Sequence, residues 1–404
     1  MFYECVESNA EKRTLLVVLC RIFRLGSNQP TQLVGVFRRL GLRLLFALVL
    51  LLPLLAGNIS LALAEENQPG AVYTLTNQPD GNAVLVYARS ADGSLTPAGS
   101  YETGGIGTGA GLGSQGAVSV SDNHRWLFAV NAGSDSISSF RIRRGQVLEL
   151  VDTVSSGGSM PISIAFRHGL LYVLNAGAPN NITGFTVAHD GTMAPLPDST
   201  RPLSADLTGP AQVSFDKTGE TVIVTEKATN LIDTYTVGSD GRLTGPFVHP
   251  SAGPTPFGFA LDNQNTLLVS EAGTGGGASS YRVGDDGALT LVSSNVMTGQ
   301  RAACWAVVTN NGRYGYVTNA GTGNISGFAI DQDGSASLLN ADGVTALTGG
   351  NPTDAALSLN SRFLYAVVNA TNSIAVFAIG ADGSLEPLPF LEGTPGGLAG
   401  LAGY

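Results

Sequence analysis

Short apolar runs alternate with small polar segments along most of the chain, and this alternation repeats seven times. In residues 126–140, WLFAVNAGSDSISSF, an apolar run leads into a segment rich in Asn, Gly and Ser, and a second run ends on an aromatic residue. The seven closing aromatics are Tyr87, Phe140, Phe185, Tyr235, Tyr281, Phe328 and Phe377, with spacings of 53, 45, 50, 46, 47 and 49 residues. A period in this range, built of short apolar runs, predicts a repeat architecture.

Each repeat divides into four short predicted strands. The sixth repeat shows them as CWAVVT (304–309), YGYVTN (314–319), ISGFAI (325–330) and SASLLN (335–340). An Asp-Gly pair separates the third and fourth strands in six repeats, at Asp92-Gly93, Asp190-Gly191, Asp240-Gly241, Asp286-Gly287, Asp333-Gly334 and Asp382-Gly383. Asp-Gly between apolar runs is a strong hairpin signal, because Gly accepts the positive φ of a tight turn. The pattern predicts an all-β fold, a seven-bladed β-propeller of four-stranded antiparallel blades.

The two ends of the repeat region are complementary. The first repeat begins at residues 71–73 with what matches a second strand, and the last overruns into GTPGGLAGLAGY (393–404). We therefore expect the C-terminal strand to close the ring as the inner strand of the first blade, because an open seam would leave an unpaired strand edge. The alternative is a disordered Gly-rich tail.

The N-terminal region has a different pattern. Residues 44–56, LLFALVLLLPLLA, follow Arg38, Arg39 and Arg43 and precede Ala62-Leu63-Ala64. The run is short for a membrane span, which needs roughly 20 apolar residues, and small-x-small is typical of a signal cleavage site. We expect residues 1–64 to be a signal peptide with an extended N-region, cleaved before Glu65, and residues 65–404 to form a secreted or periplasmic propeller. The alternative is an uncleaved membrane anchor.

Composition and charge narrow the partners. The chain has 404 residues, 53 of them Gly, and a mean hydropathy of +0.18, which suits a large β-rich core. Residues 65–404 carry 14 basic and 28 acidic residues, a net charge of −14. The negative net charge disfavours nucleic acid and anionic membranes as partners. We also expect the protein to be a monomer. Cys304 is the one cysteine after residue 64, lies in an apolar run, and is expected to be a buried structural residue.

Strand direction places the polar segment after each second strand on one face, around the central channel, and we call this face the rim. The residues at this position are Asn77, Asn131, Asn175, Glu226, Glu271, Asn319 and Asn369. Asn also caps turns through its side chain, so the two glutamates are the better functional candidates. The Gly-rich segment 102–117 predicts a flexible loop over the channel mouth, or alternatively an anion-binding nest. The four histidines have no metal-ligand spacing, so no metal and no other cofactor is expected.

Two stretches, GPAQVSFDKTGETVIVTEKATNLIDTY (209–235) and RAACWAVVTNNGRYGYVTNAG (301–321), together with the Asp-Gly hairpins, resemble the seven-bladed propeller lactonases. This family includes 6-phosphogluconolactonase and carboxymuconate-lactonising enzymes. The resemblance implies lactone chemistry in the central channel, with Glu226 and Arg301 at the positions of family active-site residues. The family's Arg-His pair appears here as Ala211-Gln212, and a second family His position as Met160-Pro161.

Two functional hypotheses follow. In the first, the protein is an exported lactonase-like hydrolase, or an isomerase, acting on a lactone or related cyclic ester. Glu226 activates water and Arg301 stabilises the oxyanion or holds a substrate carboxylate. The expected substrate contacts come from Gln212, Glu271, Asn131, Asn175 and Asn319. In the second, the propeller is non-catalytic and serves as a ligand-binding or surface interaction module. In both, the expected partner is a small molecule in the channel.

Overall fold

The computed structural model describes residues 70–404, which fold into seven antiparallel sheets arranged as the blades of a propeller. This confirms the predicted all-β fold. The predicted signal segment, its cleavage site before Glu65 and the alternative membrane anchor all lie outside the described residues. Within residues 70–404, no helix has the length and apolar character needed to cross a membrane.

The strands of each blade run from the channel outward, and we number them first to fourth in that order. Blade 1 consists of Ala399–Gly403, Gly70–Leu75, Ala83–Arg89 and Leu95–Glu102. Blade 2 consists of Val118–Val120, Trp126–Asn131, Ser136–Ile142 and Leu148–Ser155, with a 3-10 turn at Arg144–Gln146. Blade 3 consists of Pro161–Arg167, Leu170–Asn175, Asn181–Val187 and a divided fourth strand, Met193–Pro195 and Arg201–Pro202.

The remaining blades repeat this order. Blade 4 consists of Pro210–Phe215, Thr221–Glu226, Leu231–Val237 and Leu243–Pro250. Blade 5 consists of Pro256–Leu261, Thr266–Glu271, Gly277–Val283 and Leu289–Met297. Blade 6 consists of Ala303–Val308, Tyr314–Asn319, Asn324–Ile330 and a divided fourth strand, Ala336–Leu338 and Ala346–Leu347. Blade 7 consists of Pro352–Leu357, Phe363–Val368, Ser373–Ile379 and the segments Leu385–Pro387 and Leu391–Glu392.

Burial changes across each blade from its second to its fourth strand. The second strands Thr221–Glu226 and Phe363–Val368 are buried at every residue, because neighbouring blades cover both of their faces. The fourth strand Leu95–Glu102 is mostly exposed beyond its first residue. This agrees with the largely apolar second strands, whereas the fourth strands mix polar residues with exposed apolar ones such as Leu150, Val248 and Leu291.

The hairpin glycines take the predicted left-handed conformation. Their φ values are 88° at Gly93, 93° at Gly191, 80° at Gly241, 80° at Gly287, 85° at Gly334 and 83° at Gly383. Some of these hairpins also join neighbouring blades. The hydroxyl of Tyr172 in blade 3 donates to the carbonyl of Gly241 in blade 4 at 2.6 Å, and Tyr365 in blade 7 donates to Gly93 in blade 1 at 3.0 Å. The second contact crosses the seam between the two ends of the chain.

The C-terminal strand closes the ring as predicted. Ala399–Gly403 pairs antiparallel with Gly70–Leu75, which places the end of the chain innermost in blade 1. The Asn369 side chain of blade 7 holds the backbone of Leu398 from both sides, accepting from its N–H and donating to its carbonyl, each at 2.9 Å. Backbone pairing between these two strands and hydrogen bonds from a side chain of the adjacent blade therefore close the ring.

We predict that removing residues 397–404 destabilises the whole ring rather than trimming a loose tail. The truncation deletes one inner strand and leaves the edge of Gly70–Leu75 unpaired, which favours cooperative unfolding at lower temperature and aggregation. Thermal denaturation of a chain ending at Gly396 measures this. A chain ending at Gly403 is the control, because it keeps the whole strand. A melting temperature within one or two degrees of the full chain after the longer truncation would disprove the closure model.

Candidate functional site

The Gly-rich segment between blades 1 and 2 enters the channel from the rim, instead of lying over the mouth as a flexible loop. Its base is fixed by Asn77, whose Oδ1 accepts from the N–H of Thr108 at 3.0 Å and whose Nδ2 donates to the carbonyl of Ala110 at 2.7 Å. Residues 110–115, which we call the channel segment, then pass between the first strands. The expected mobile loop is therefore a tethered part of the channel interior.

Hydrogen bonds connect the channel segment to three other blades. Ser114 Oγ donates to the carbonyl of Ile162 in blade 3 at 2.8 Å, and the N–H of Gln115 donates to Ala211 in blade 4 at 3.1 Å. The Gln115 side chain pairs with both backbone groups of Ala306 in blade 6, at 2.7 and 2.9 Å. The segment thus spans the channel from blade 2 to blade 6.

A missing side chain makes room for Gln115. Gly258 lies on the first strand of blade 5, and a Cβ atom at this position would be 2.1 Å from Gln115 Oε1. The same strand position is occupied by Ser163, Gln212, Trp305 and Asp354 in blades 3, 4, 6 and 7. The single glycine in this series was a signal in the sequence that a group from elsewhere approaches the backbone here.

On the face opposite the rim, the channel widens into a cavity of about 440 Å³. Gln115 and Gln212 are among its lining residues. Both oxygen and nitrogen of the Gln212 amide are bound to the backbone of Phe259, at 2.7 and 3.0 Å. Near the mouth, Arg167 forms an ion pair with Asp122 at 3.3 Å. The cavity is therefore polar, and the amide at the family His position is already engaged.

On the rim side, Lys227 lies against the channel segment. Its Nζ donates to the carbonyl of Gly113 at 2.5 Å and lies 4.9 Å from the centre of the Phe257 ring. Burial lowers the pKa of this amine to about 8, although a nearby Cys304 opposes the shift slightly. Burial raises the pKa of the Cys304 thiol to about 12, so this residue is a buried neutral thiol and not a nucleophile at neutral pH.

The predicted rim residues are buried within their blades. Asn131, Asn175, Asn319, Glu226 and Glu271 are each at most 1% exposed. Four of the five bind the start of the neighbouring third strand: Asn131 to Ser138 at 2.8 Å, Asn175 to Asn181 at 2.9 Å, Glu271 to Ser279 at 2.6 Å and Asn319 to Ser326 at 2.8 Å. The repeated polar position thus joins two strands of one blade, and substrate contact by these side chains stays a prediction.

Glu226 in blade 4 lies beside a second buried carboxyl group, that of Asp233. The N–H of Ser204 reaches Oε1 of Glu226 and Oδ2 of Asp233, each at 3.0 Å, so the two carboxyl groups are side by side. Both residues are fully buried. Burial raises the pKa of Asp233 well above its ordinary value, and the neighbouring Glu226 raises it further. The pair therefore holds a proton at neutral pH. Asp233 was missed in the sequence because its strand position is usually occupied by a hydroxyl.

The structure does not bring Glu226 and Arg301 together. Arg301 is exposed, and its guanidinium donates to the carbonyl of Gly321 in its own blade at 2.8 Å. The ion pairs among residues 70–404 do not join it to Glu226. The other rim glutamate, Glu271, accepts from the N–H of Gly253 at 2.6 Å, and burial raises its pKa. The catalytic roles of Glu226 and Arg301 stay predictions. No cluster of potential metal ligands is found in residues 70–404.

We predict that Asp233→Asn makes stability less dependent on pH. The pKa of Asp233 is raised above 3.8 in the folded state. The protonated carboxyl group therefore stabilises the fold fully below pH 3.8, and this stabilisation is lost as pH rises through the raised pKa. Within this window the loss approaches about 1.4 kcal/mol per pH unit. The amide keeps a donor for Glu226 and carries no proton to lose. Urea denaturation at a series of pH values measures the slope.

Asp240→Asn is the control for this experiment, because Asp240 lies exposed at the hairpin of the same blade and its pKa is lowered by hydrogen bonds from Arg242. Replacing it should leave the loss of stability above pH 4 in place. An unchanged slope in Asp233→Asn would show that the buried pair does not share a proton.

Known proteins resemble this chain in sequence and in fold. A curated 6-phosphogluconolactonase from Serratia proteamaculans (strain 568) is 25% identical over 270 residues, covering 64% of this chain and 78% of the relative. Among solved structures, the periplasmic gluconolactonase PpgL of Pseudomonas aeruginosa superposes with a TM-score of 0.68 at 18% identity, covering 82% of this chain and 98% of the other. A candidate 6-phosphogluconolactonase from Bacteroides uniformis gives 0.70 at 18% identity, covering 84% and 100%.

The family model described as "Lactonase, 7-bladed beta-propeller" matches residues 73–201, 180–302 and 248–356. These matches cover the blades that supply Gln212, Lys227 and Arg301. Because they span well over half of the sequence, the chain belongs to the lactonase family of seven-bladed β-propellers.

Proposed function

We propose that this protein is an exported lactonase that hydrolyses a lactone or a related cyclic ester at the rim mouth of the channel. Family membership supports the lactone as the substrate class. The apolar run 44–56 and Ala62-Leu63-Ala64 support export. In this proposal Lys227, which the sequence did not suggest, takes the role of the base.

The observation that carries the proposal is the position and pKa of Lys227. A general base is most effective when its pKa lies near the operating pH. The chain has Gln212 where the family has His, and the Gln212 amide cannot accept a proton from water. The Lys227 amine reaches the same channel from blade 4, and burial lowers its pKa to about 8.

The reaction follows from this geometry. Neutral Lys227 takes a proton from a water molecule, whose oxygen attacks the lactone carbonyl carbon. The carbonyl oxygen becomes an oxyanion, for which Arg301 is the exposed cation on the same face. The ring C–O bond then breaks, and the leaving alkoxide takes the proton from Lys227. Because Gly113 accepts a hydrogen bond from Nζ, substrate has to displace the channel segment from the amine.

A second candidate function is the ligand-binding module. The channel segment favours it, because residues 110–115 fill the rim side of the channel with hydrogen bonds to blades 3, 4 and 6. A binding protein does not need this segment to move with every turnover. In that case the open cavity on the opposite face would be the accessible part of the channel.

We predict that purified protein hydrolyses at least one member of a lactone panel followed by pH-stat, and that the rate rises with pH through about 8, as Lys227 loses its proton. Lys227→Met should then lower kcat by about 10²–10⁴-fold without lowering the melting temperature, because a half-buried amine is replaced by an apolar chain of similar length. Arg143→Gln is the control, since this exposed residue pairs only locally with Glu149.

Glu226→Gln separates this proposal from the role expected for Glu226. The amide keeps the shape of a buried side chain that has no exposed surface, so we expect a change in stability with kcat largely retained. If Glu226→Gln abolishes turnover while Lys227→Met does not, Glu226 is the base and the present assignment is wrong. If the wild-type protein hydrolyses none of the lactones but binds one, the ligand-binding function replaces the hydrolase.

A further inference from the structure

We propose that Lys227 is also a site of covalent modification, at which its amine opens a lactone and becomes acylated through an amide bond. The inference rests on the proposed function only in requiring that lactones reach the rim mouth. It does not require that they are hydrolysed there. The ligand class is an electrophilic cyclic ester.

The Lys227 amine is half-buried and has no carboxylate partner in the described part of the chain. The aliphatic chain of Lys227 is half-buried, and Nζ lies over the Phe257 ring on one side and against Gly113 on the other. The ion pairs among residues 70–404 do not include Lys227. The Phe257 ring face and the Gly113 carbonyl favour the charged amine. Half-burial without a carboxylate partner opposes them, because it removes hydration from the ammonium.

Attack by the amine, like hydrolysis, requires that substrate displaces the channel segment from Nζ. A neutral amine has one lone pair and two N–H groups, and one N–H is used by the Gly113 carbonyl. The carboxylate that precedes it, Glu226, points into blade 4 towards Ser204. Cys304 is the titratable group beside the amine, and it is a neutral thiol. The site therefore contains no charged acid that would hold Lys227 in its protonated form.

The step balances without a further reactant. The Lys227 nitrogen attacks the carbonyl carbon of the lactone and forms a C–N bond. The ring C–O bond breaks, and the ring oxygen leaves as an alkoxide that takes one proton from the former amine. The product is a hydroxyacyl amide with the mass of one intact lactone added. An amide is much more stable to hydrolysis than the ester, so the modification accumulates and removes the amine as a base.

The sequence contains an internal control. The whole chain has three lysines, Lys12, Lys217 and Lys227. Residues 65–404 contain two of these lysines, Lys227 on the rim side of the channel and Lys217 at the opposite mouth. Lys217 is exposed over much of its side-chain surface, but partial burial of its amine and the nearby Arg167 lower its pKa as well. The two amines can be compared in the same folded molecule, so misfolding of a variant cannot account for a difference.

The test incubates the full-length protein with δ-valerolactone or glucono-δ-lactone at pH 8, followed by proteolysis and peptide mass spectrometry. We expect Lys227 to carry the added acyl group at least about tenfold more than Lys217, and we expect the ratio to fall to about one in urea. Lactone hydrolysis in the same sample should decline as Lys227 becomes acylated.

Equal acylation of the two lysines in the folded protein, or preferential acylation of Lys217, would overturn the inference. Hydrolysis without acylation also overturns it, while leaving the proposed function in place. Acylation at Lys227 without measurable hydrolysis supports the inference and contradicts the proposed function. The two claims can therefore fail separately.

Discussion

The pairing of the last strand with the first is the constraint on which the rest of the structure depends. Ala399–Gly403 provides the inner strand of a blade whose other strands come from the start of the described chain. Each blade buries its second strand between two neighbours, so the apolar faces of all the blades are covered only when the ring is closed. Closure also fixes the diameter of the channel, because its wall consists of the first strands.

In the channel interior, single residues determine which side chains can take part in chemistry. Gly258 leaves the space that Gln115 fills, and Gln115 ties the channel segment to blade 6. The segment in turn supplies the Gly113 carbonyl that positions Lys227. Gln212, at a position where a catalytic His would be expected from the family, is bound on both sides to Phe259. In the proposed function, the acid–base role therefore falls to Lys227, which follows a second strand.

Much of the fold could be predicted from the sequence, because the repeat period, the Asp-Gly hairpins and the complementary ends of the repeat region can be read directly from the order of residues. The side-chain positions at the candidate site were harder to predict. Asn131 and Glu226 share a sequence position with the other rim residues, and strand direction predicts that they lie on the rim side. Their side chains are nevertheless buried in blade-internal hydrogen bonds, since side-chain direction depends on the partner strand. Asp233 and Lys227 have shifted pKa values because of burial, which a sequence pattern does not reveal.

The central claim is that the channel holds an amine that is partly neutral near physiological pH, and a direct titration of Lys227 tests it. Residues 65–404 contain two lysines, so a protein labelled with ¹³C at lysine Cε gives two signals to follow by NMR as pH is raised, and Lys217→Arg assigns them. The account predicts that the Lys227 signal titrates with a pKa of about 8. A midpoint above pH 10, as in an ordinary solvated lysine, would contradict it.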